Sequence, residues 1–389
     1  MVDMEISKDI KWIGASDNDL TLFEGQYMLE NGMSYNSYLI KDEKNVILDT
    51  IDERVTNIWI EKLEKELNGE KPDYLIISHM EPDHAYNIGL LAKKYPEMKL
   101  VGNQMTFNIL QNFFSDIDLS SRKVIVTEGD VLDLGKHKLQ FFMAPMVHWP
   151  EVMVSYEQTE KILFSADGFG KFGSLEHNEE WDCEARRYYF GIVGKYGVQV
   201  QALLNKASTL DIKMICPLHG PILKENLEYY LDKYNTWSKY EPEEDGIFIA
   251  VASIYGNTLE VGNKLAEILK EKRAKKVVVS DLRTEDWAEA VEDAFRYSKL
   301  IVASSTYNME IFPPMEQFLH HLNSRNYQKR KVGIIENGSW APASGKKMKE
   351  ILENMKDLEI VEPTITIKSR LKEDDISKLE SLADEILKD

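Results

Sequence analysis

Between Tyr35 and Leu231 the chain alternates short apolar runs with amphipathic stretches and polar turns; Asn45-Val-Ile-Leu-Asp49, Tyr74-Leu-Ile-Ile-Ser78 and Lys161-Ile-Leu-Phe-Ser165 are examples. Runs this short, bounded by turn residues, read as buried strands set among helices. From Ile247 onward the pattern becomes a regular alternation of strand and helix. It predicts strands near 247–252, 276–281, 299–304 and 331–336, and helices near 258–272, 285–297, 314–324 and 373–388. Such an order implies a parallel sheet with helices on both faces, an α/β architecture. Between the two patterns lies Glu241-Pro-Glu-Glu-Asp245, acidic, proline-containing and without apolar period, which places a domain boundary there. The expected domains are therefore 1–245 and 246–389.

A length of 389 residues fits two cores better than one. No segment approaches the roughly 20 apolar residues of a membrane-spanning helix. The stretch from Met1 to Lys11 carries Asp3, Glu5 and Asp9 in place of an apolar signal core, so the expectation is a cytoplasmic protein with no membrane partner. A net charge of −19 argues against a nucleic-acid partner, because phosphate binding depends on clustered Lys and Arg. Lys346-Lys-Met-Lys349 reads as a solvated helix face. Cys183 and Cys216 are the only cysteines, which excludes a disulfide framework and a built-in four-cysteine iron site; each is expected to be a buried small side chain.

Ser78-His-Met-Glu-Pro-Asp-His84 directly follows a predicted strand, so His79, Glu81, Asp83 and His84 crowd one loop at a strand's C-terminal end. Gathering such groups is costly unless cations or hydrogen bonds offset their charge, which suggests a metal site. Three similar strand ends carry His148 in Ala144-Pro-Met-Val-His-Trp-Pro150, Asp167 in Phe164-Ser-Ala-Asp-Gly168 and His219 in Cys216-Pro-Leu-His-Gly-Pro221. Each sits beside Gly or Pro, as a sharp turn requires; taken singly, each reads equally well as a hydrogen-bonded turn residue. Asp49, ending its own strand, is either a turn residue or a group that orients a metal histidine.

A second constellation lies beyond the boundary. Ser253-Ile-Tyr-Gly-Asn-Thr258 opens directly into a helix, where a phosphate would meet backbone N–H groups, the positive helix end and the hydroxyls of Ser253 and Thr258. The loop, which includes Tyr255, Gly256 and Asn257, lacks the lysine of a triphosphate loop and the full glycine pattern of a dinucleotide fold, so a monophosphate cofactor fits better, with a plain helix cap as the alternative. Two later loops fall at the same sheet edge, one with Ser305, Thr306, Tyr307 and Asn308, the other with Asn337, Gly338, Ser339 and Trp340. Tyr307 and Trp340 are candidates to cover the ring of such a cofactor, with Asn308 and backbone groups bonding its nitrogens.

The first set resembles the metallo-β-lactamase superfamily, whose usual loop reads His-x-His-x-Asp-His and holds zinc. Here Glu81 replaces the second histidine, and a hard anionic oxygen favours iron. The variant His-x-Glu-x-Asp-His, followed by His-Trp-Pro, Phe-Ser-x-Asp-x-Phe-Gly and His-Gly-Pro, is similar to the flavodiiron proteins, and the Ser253–Thr258 loop resembles the phosphate loop of flavodoxins. The resemblance implies an N-terminal metallo-β-lactamase-like αββα sandwich and a C-terminal flavodoxin-like doubly wound parallel sheet, with two non-haem irons bridged by hydroxide or oxide in the first and FMN in the second. It implies that His79, Glu81 and His148 bind one iron, Asp83 and His219 the other, that Asp167 bridges, and that His84 is a further ligand in some members. Three carboxylates against a diferrous pair leave one positive charge, which a bridging hydroxide balances.

The implied activity is reduction of dioxygen to water, of nitric oxide to nitrous oxide, or of both. FMN would relay electrons from an external donor, a rubredoxin-like protein first, another flavoprotein or a reduced deazaflavin next. The implied assembly is a head-to-tail homodimer or a dimer of dimers. Relatives often have Pro near Ser305 and Gly-Gly near Met309-Glu310; this chain departs there. Two other readings remain: a zinc hydrolase with an accessory flavodoxin domain, and a plain electron carrier that leaves the metal motifs unexplained.

Overall fold

The computed structural model describes residues 4–118, 121–177 and 180–388; the first three residues of the acidic N-terminal stretch lie outside them. The chain separates into two compact units, Met1–Asn235 and Thr236–Asp389, with the division inside the helix Leu227–Ser238. The acidic segment read as a linker ends in Glu244 and Asp245, which already begin the strand Glu244–Ala252.

The first unit is built on two sheets. One has six strands in the order Ile10–Trp12, Tyr38–Ile40, Val46–Leu48, Tyr74–Ile76, Lys99–Gly102, Lys123–Ile125. The other has five, Val131–Asp133, Lys138–Met143, Met153–Glu157, Ile162–Phe164 and Met214–Cys216. Val46, Leu48, Ile76 and Val101 from the first sheet share a core with Leu139, Phe141, Met153, Ile162 and Phe164 from the second. The intervening Ile47, Leu75 and Leu100 are also fully buried. That double burial explains why these strands read as unbroken apolar runs, and it makes the unit an αββα sandwich as expected. The helix Thr56–Leu67, for example, buries only Trp59, Leu63 and Leu67, one face of its cylinder.

The second unit holds a parallel sheet in the order Val277–Asp281, Glu244–Ala252, Tyr297–Tyr307, Arg330–Asn337, Leu358–Ile360. In sequence terms this is the flavodoxin-like order 2-1-3-4-5. On one face Ile247, Ile249 and Val251 pack with Val261, Leu265 and Leu269 of the helix Asn257–Glu271 and Leu379 and Leu382 of Glu373–Leu387. On the other, Phe248 meets Phe318 of the helix Pro313–Ser324 edge to face. The helices therefore lie on both sides, as the alternation predicted.

Local differences have physical causes. The strand predicted near 299–304 runs to Tyr307, because Asn308 and Met309, both at positive φ, turn the chain back into a short antiparallel strand, Glu310–Ile311. Lys346 and its neighbours belong to the helix Ser344–Glu353, which buries Met348 and points Lys346 and Lys349 toward Glu350 and Glu353. Cys216 is buried as expected, but Cys183 is exposed: it lies on the outer face of the helix Trp181–Tyr188, whose opposite face buries Trp181, Ala185 and Tyr188. Among the described residues no helix is long and apolar enough to cross a membrane.

Candidate functional site

In the first unit the site grows from the ends of the strands. Past Tyr74–Ile76 the chain cannot continue as a strand, because Asp49 Oδ1 accepts from the backbone N–H groups of Ser78 (2.7 Å) and His79 (3.3 Å). Asp49 itself takes positive φ at the end of Val46–Leu48. It thus steers the backbone that carries the histidine loop, and burial pushes its carboxyl up to about 6. Glu81 then caps the short helix Pro82–Ala85, with proline at its first position. Asp83 and His84 fall on that single turn and are buried.

All seven sequence-predicted metal candidates converge here, in two adjoining groups. In the first, His79 Nε2 stands 3.2 Å from Glu81 Oε2, 3.3 Å from His148 Nε2 and 3.3 Å from Asp167 Oδ2. His148 Nε2 lies 3.0 Å from Glu81 and 3.2 Å from Asp167 Oδ2. In the second, His84 Nε2 lies 3.0 Å from His219 Nε2, 3.2 Å from Asp83 Oδ2 and 3.3 Å from Asp167 Oδ1, while His219 Nε2 is 3.2 Å from Asp83. Asp167 thus offers one oxygen to each group. His84 turns its Nε2 inward like the others.

Outer contacts fix the rings. His79 Nδ1 is 2.8 Å from Glu151 Oε1, and His219 Nδ1 donates to the Ser34 carbonyl at 2.7 Å. With Nδ1 carrying the proton, each Nε2 presents a lone pair inward. Gly220, at φ +80, is required beside His219, since a Cβ there would stand 2.7 Å from Lys171 Cγ. Glu151 was missed by sequence reasoning; its only signal is adjacency to the His-Trp-Pro turn.

The donor set fits a pair of cations. Imidazole lone pairs face one another and face carboxylate oxygens, and both oxygens of Asp83 and of Asp167 are buried without a hydrogen-bond partner. Acceptors meeting acceptors in a buried space are unfavourable unless positive charge lies between them. Without metal that charge must be protons. Burial, reinforced by Glu81 and Asp167, pushes the Asp83 carboxyl up to about 7, and the His148 imidazole rises to about 9 because the adjoining Asp167 and Glu81 carboxylates outweigh its burial. One imidazole-rich group with two carboxylates, joined by a shared aspartate to a second group, is suited to two iron ions. The groups' open side is at Glu81 and His148, the less buried members. A cavity of about 280 Å³, lined by Phe23, Glu24, Tyr35, Glu81 and Asp83, adjoins them.

In the second unit the predicted flavin loops follow three neighbouring strands, Glu244–Ala252, Tyr297–Tyr307 and Arg330–Asn337. This is the switch point of the sheet, where the strand order reverses and ligands bind. Ser253 is buried, and its Oγ accepts from the Thr258 N–H at 3.1 Å; Thr258 Oγ1 is 2.9 Å from Ser305 Oγ. Gly256 precedes the helix at φ +91, a left-handed conformation, with open space where a Cβ would be, and Asn257 begins the helix. Thr306 Oγ1 accepts from the N–H groups of Ala343 and Ser344, and Asn337 bonds Ser369 through both ends of its amide. Those two side chains therefore hold the loops together. Asn308 and Gly338 shape turns, Gly338 packing closely on Pro342. Tyr255, Tyr307, Ser339 and Trp340 face solvent; Tyr255 and Trp340 are 91% and 83% exposed.

Residues 33–220 match the ODP family beta lactamase model. An uncharacterized protein of Methanocaldococcus jannaschii is 29% identical over 384 residues, spanning 96% of this chain and 95% of its own length. The anaerobic nitric oxide reductase flavorubredoxin of Vibrio vulnificus is 28% identical over 87% of this chain and 70% of its own. Among solved structures, the rubredoxin:oxygen oxidoreductase of Desulfovibrio gigas superposes with a TM-score of 0.92 at 24% identity, covering 98% of this chain and 97% of that one. A flavo di-iron protein variant of Thermotoga maritima gives 0.87 at 26% identity, covering 97% and 96%. The fold and the two sites define a metallo-β-lactamase-like domain followed by a flavodoxin-like domain. Along nearly its whole length the chain is similar to flavorubredoxins and flavo di-iron proteins. Among the described residues, His79, Glu81, His148 and Asp167 form one group able to hold a metal ion, and Asp83, His84 and His219 form another.

Proposed function

We propose that this chain is an oxidoreductase that reduces dioxygen to water, nitric oxide to nitrous oxide, or both, with electrons relayed through FMN from an external donor. The observation that carries the reading is the position of Asp167, one oxygen toward His79 and His148 and the other toward His84 and His219. When bound, two ferrous ions and reduced FMN supply the electrons for reduction of a small gas. His79, Glu81 and His148 would hold one iron, Asp83, His84 and His219 the other, and Asp167 both. Glu81 supports iron over the zinc of a hydrolase, since it puts a hard anion where hydrolytic relatives carry imidazole.

In the flavin domain, Ser253, Tyr255, Gly256, Asn257 and Thr258 would receive the phosphate of FMN, with the helix Asn257–Glu271 directing its positive end there. Ser305, Thr306, Tyr307 and Asn308 and the loop Asn337, Gly338, Ser339 and Trp340 would frame the ring, the exposed Tyr307 and Trp340 lying against its faces. Residues 1–245 would form the iron domain and 246–389 the flavin domain. A head-to-tail homodimer would bring the flavin of one subunit to the irons of the other, and two such contacts close a two-fold assembly. A rubredoxin-like protein is the first donor to try, and the cytoplasm is the expected compartment.

The test is an anaerobic assay of chemically reduced, iron- and flavin-loaded enzyme, following consumption of each gas separately. Rapid turnover of either supports the reading and ranks the substrates. A protein that holds iron and flavin yet consumes neither gas overturns it.

A further inference from the structure

Away from the di-iron site, a third group of metal-binding side chains forms where three separate segments of the first unit meet. Asp9 precedes the strand Ile10–Trp12, His137 precedes Lys138–Met143, and Glu160 lies in the turn between Met153–Glu157 and Ile162–Phe164. His137 is completely buried, and its Nδ1 is 3.0 Å from Glu157 Oε1. Glu157 in turn accepts from the backbone N–H groups of Thr159 and Glu160, so it is a fixed anion that holds the imidazole proton on Nδ1. This repeats the pairing of Glu151 with His79 at the iron site.

The consequence lies on the other ring nitrogen. His137 Nε2 is buried without a hydrogen-bond partner, and it points at Asp9 Oδ2, 3.6 Å away, and Glu160 Oε1, 3.9 Å away. These separations are too long for hydrogen bonds, so a second ring proton would reach neither carboxylate. They are close to the spacing of donors around a tetrahedral zinc, which sit about 2 Å from the ion and so roughly 3.3 Å from each other. The other polar groups facing the cluster are Lys136, paired with Asp9, Ser7, whose hydroxyl donates to Glu160 at 3.0 Å, and Asp42, which accepts from the His137 N–H.

We propose that Asp9, His137 and Glu160 form a zinc-type divalent cation site that ties the N-terminal segment to the second sheet. One neutral imidazole and two carboxylates match such an ion in charge and hardness, with water completing the coordination. The site is structural in character, since it joins the N-terminal segment to segments more than a hundred residues further along the chain.

The experiment uses full-length, iron- and flavin-loaded protein equilibrated with micromolar zinc, gel-filtered, and analysed for zinc and iron per chain. The double variant Asp9→Asn, Glu160→Gln is run beside it, both changes being isosteric and at partly exposed positions. The expected result is about one zinc per chain above an unchanged iron content, with at least a hundredfold weaker zinc retention in the variant and a zinc-dependent rise in melting temperature only in the parent. No zinc above the iron, zinc that enters only as iron leaves, or equal retention by the variant each overturns the assignment.

Discussion

Glu151 and His79, 72 positions apart in sequence, form a fully buried pair in which one carboxylate oxygen meets both His79 Nδ1 and the Met80 N–H at 2.8 Å. The contact fixes the tautomer and the direction of the ring, so Glu151 acts on metal through His79. Glu151→Gln keeps the shape and loses the charge. Iron affinity, read by competition with a chelator, is expected to fall about tenfold to a hundredfold. Flavin content should not change, which separates this positioning effect from general unfolding.

Asp167→Asn tests the bridge. The amide presents only one oxygen, so one of the two donor groups loses its anionic share while the other keeps its remaining ligands. Iron per chain should drop from two toward one or fewer, and gas reduction should fall by at least about a hundredfold, because each lost charge-assisted contact is worth roughly 1.5–3 kcal/mol. Retention of full activity with both irons bound would remove Asp167 from its proposed role.

The motifs were readable in the sequence because each strand is a short apolar run ending abruptly in Gly, Pro or a cluster of polar residues, so position in the chain also told position on the sheet edge. Glu151 was not readable, since a lone carboxylate in a turn gains meaning only when folding brings it to His79. The same holds for Glu157 and His137. Asp49 was legible as a strand-end residue, but its partners are the backbone amides of Ser78 and His79 rather than an imidazole. The strands Leu358–Ile360 and Ile365–Ile367 escaped notice because three residues show no usable period. The outward turn of Cys183 is set by which helix face meets the core, a property of packing.

Trp340 is 83% exposed and Tyr307 46%, both at the edge where strand order reverses. Large exposed aromatics at a ligand edge are more economically explained by a ring they cover than by surface packing. Trp340→Ala should weaken FMN binding by about tenfold, the equivalent of about 1.4 kcal/mol. The stability of the flavin-free protein should change by no more than about 0.5 kcal/mol, as for other exposed substitutions. Flavin fluorescence titration and thermal melts of the flavin-free form measure the two quantities; equal losses in both would assign Trp340 to structure alone.

Removing the metal exposes the protonation chemistry of the site. In the metal-free protein His79 and His148 are held above the ordinary imidazole range: burial opposes the charge, but the Asp167 and Glu81 carboxylates, with Glu151 at His79, overcome it, and His148 reaches about 9. A raised histidine stabilises the fold fully below its unfolded value near 6.5, and that contribution disappears as pH rises through the folded value. His219 is shifted the opposite way, by burial, so its effect appears only below about 6.5. Between pH 6.5 and 9 the metal-free protein should therefore lose stability with rising pH, by up to about 1.4 kcal/mol per pH unit for each proton released. The iron-loaded protein lacks this slope, because its imidazoles are already deprotonated ligands. Melting temperatures of both forms across this range should diverge as pH increases, and parallel curves would show that the histidines do not carry the compensating charge.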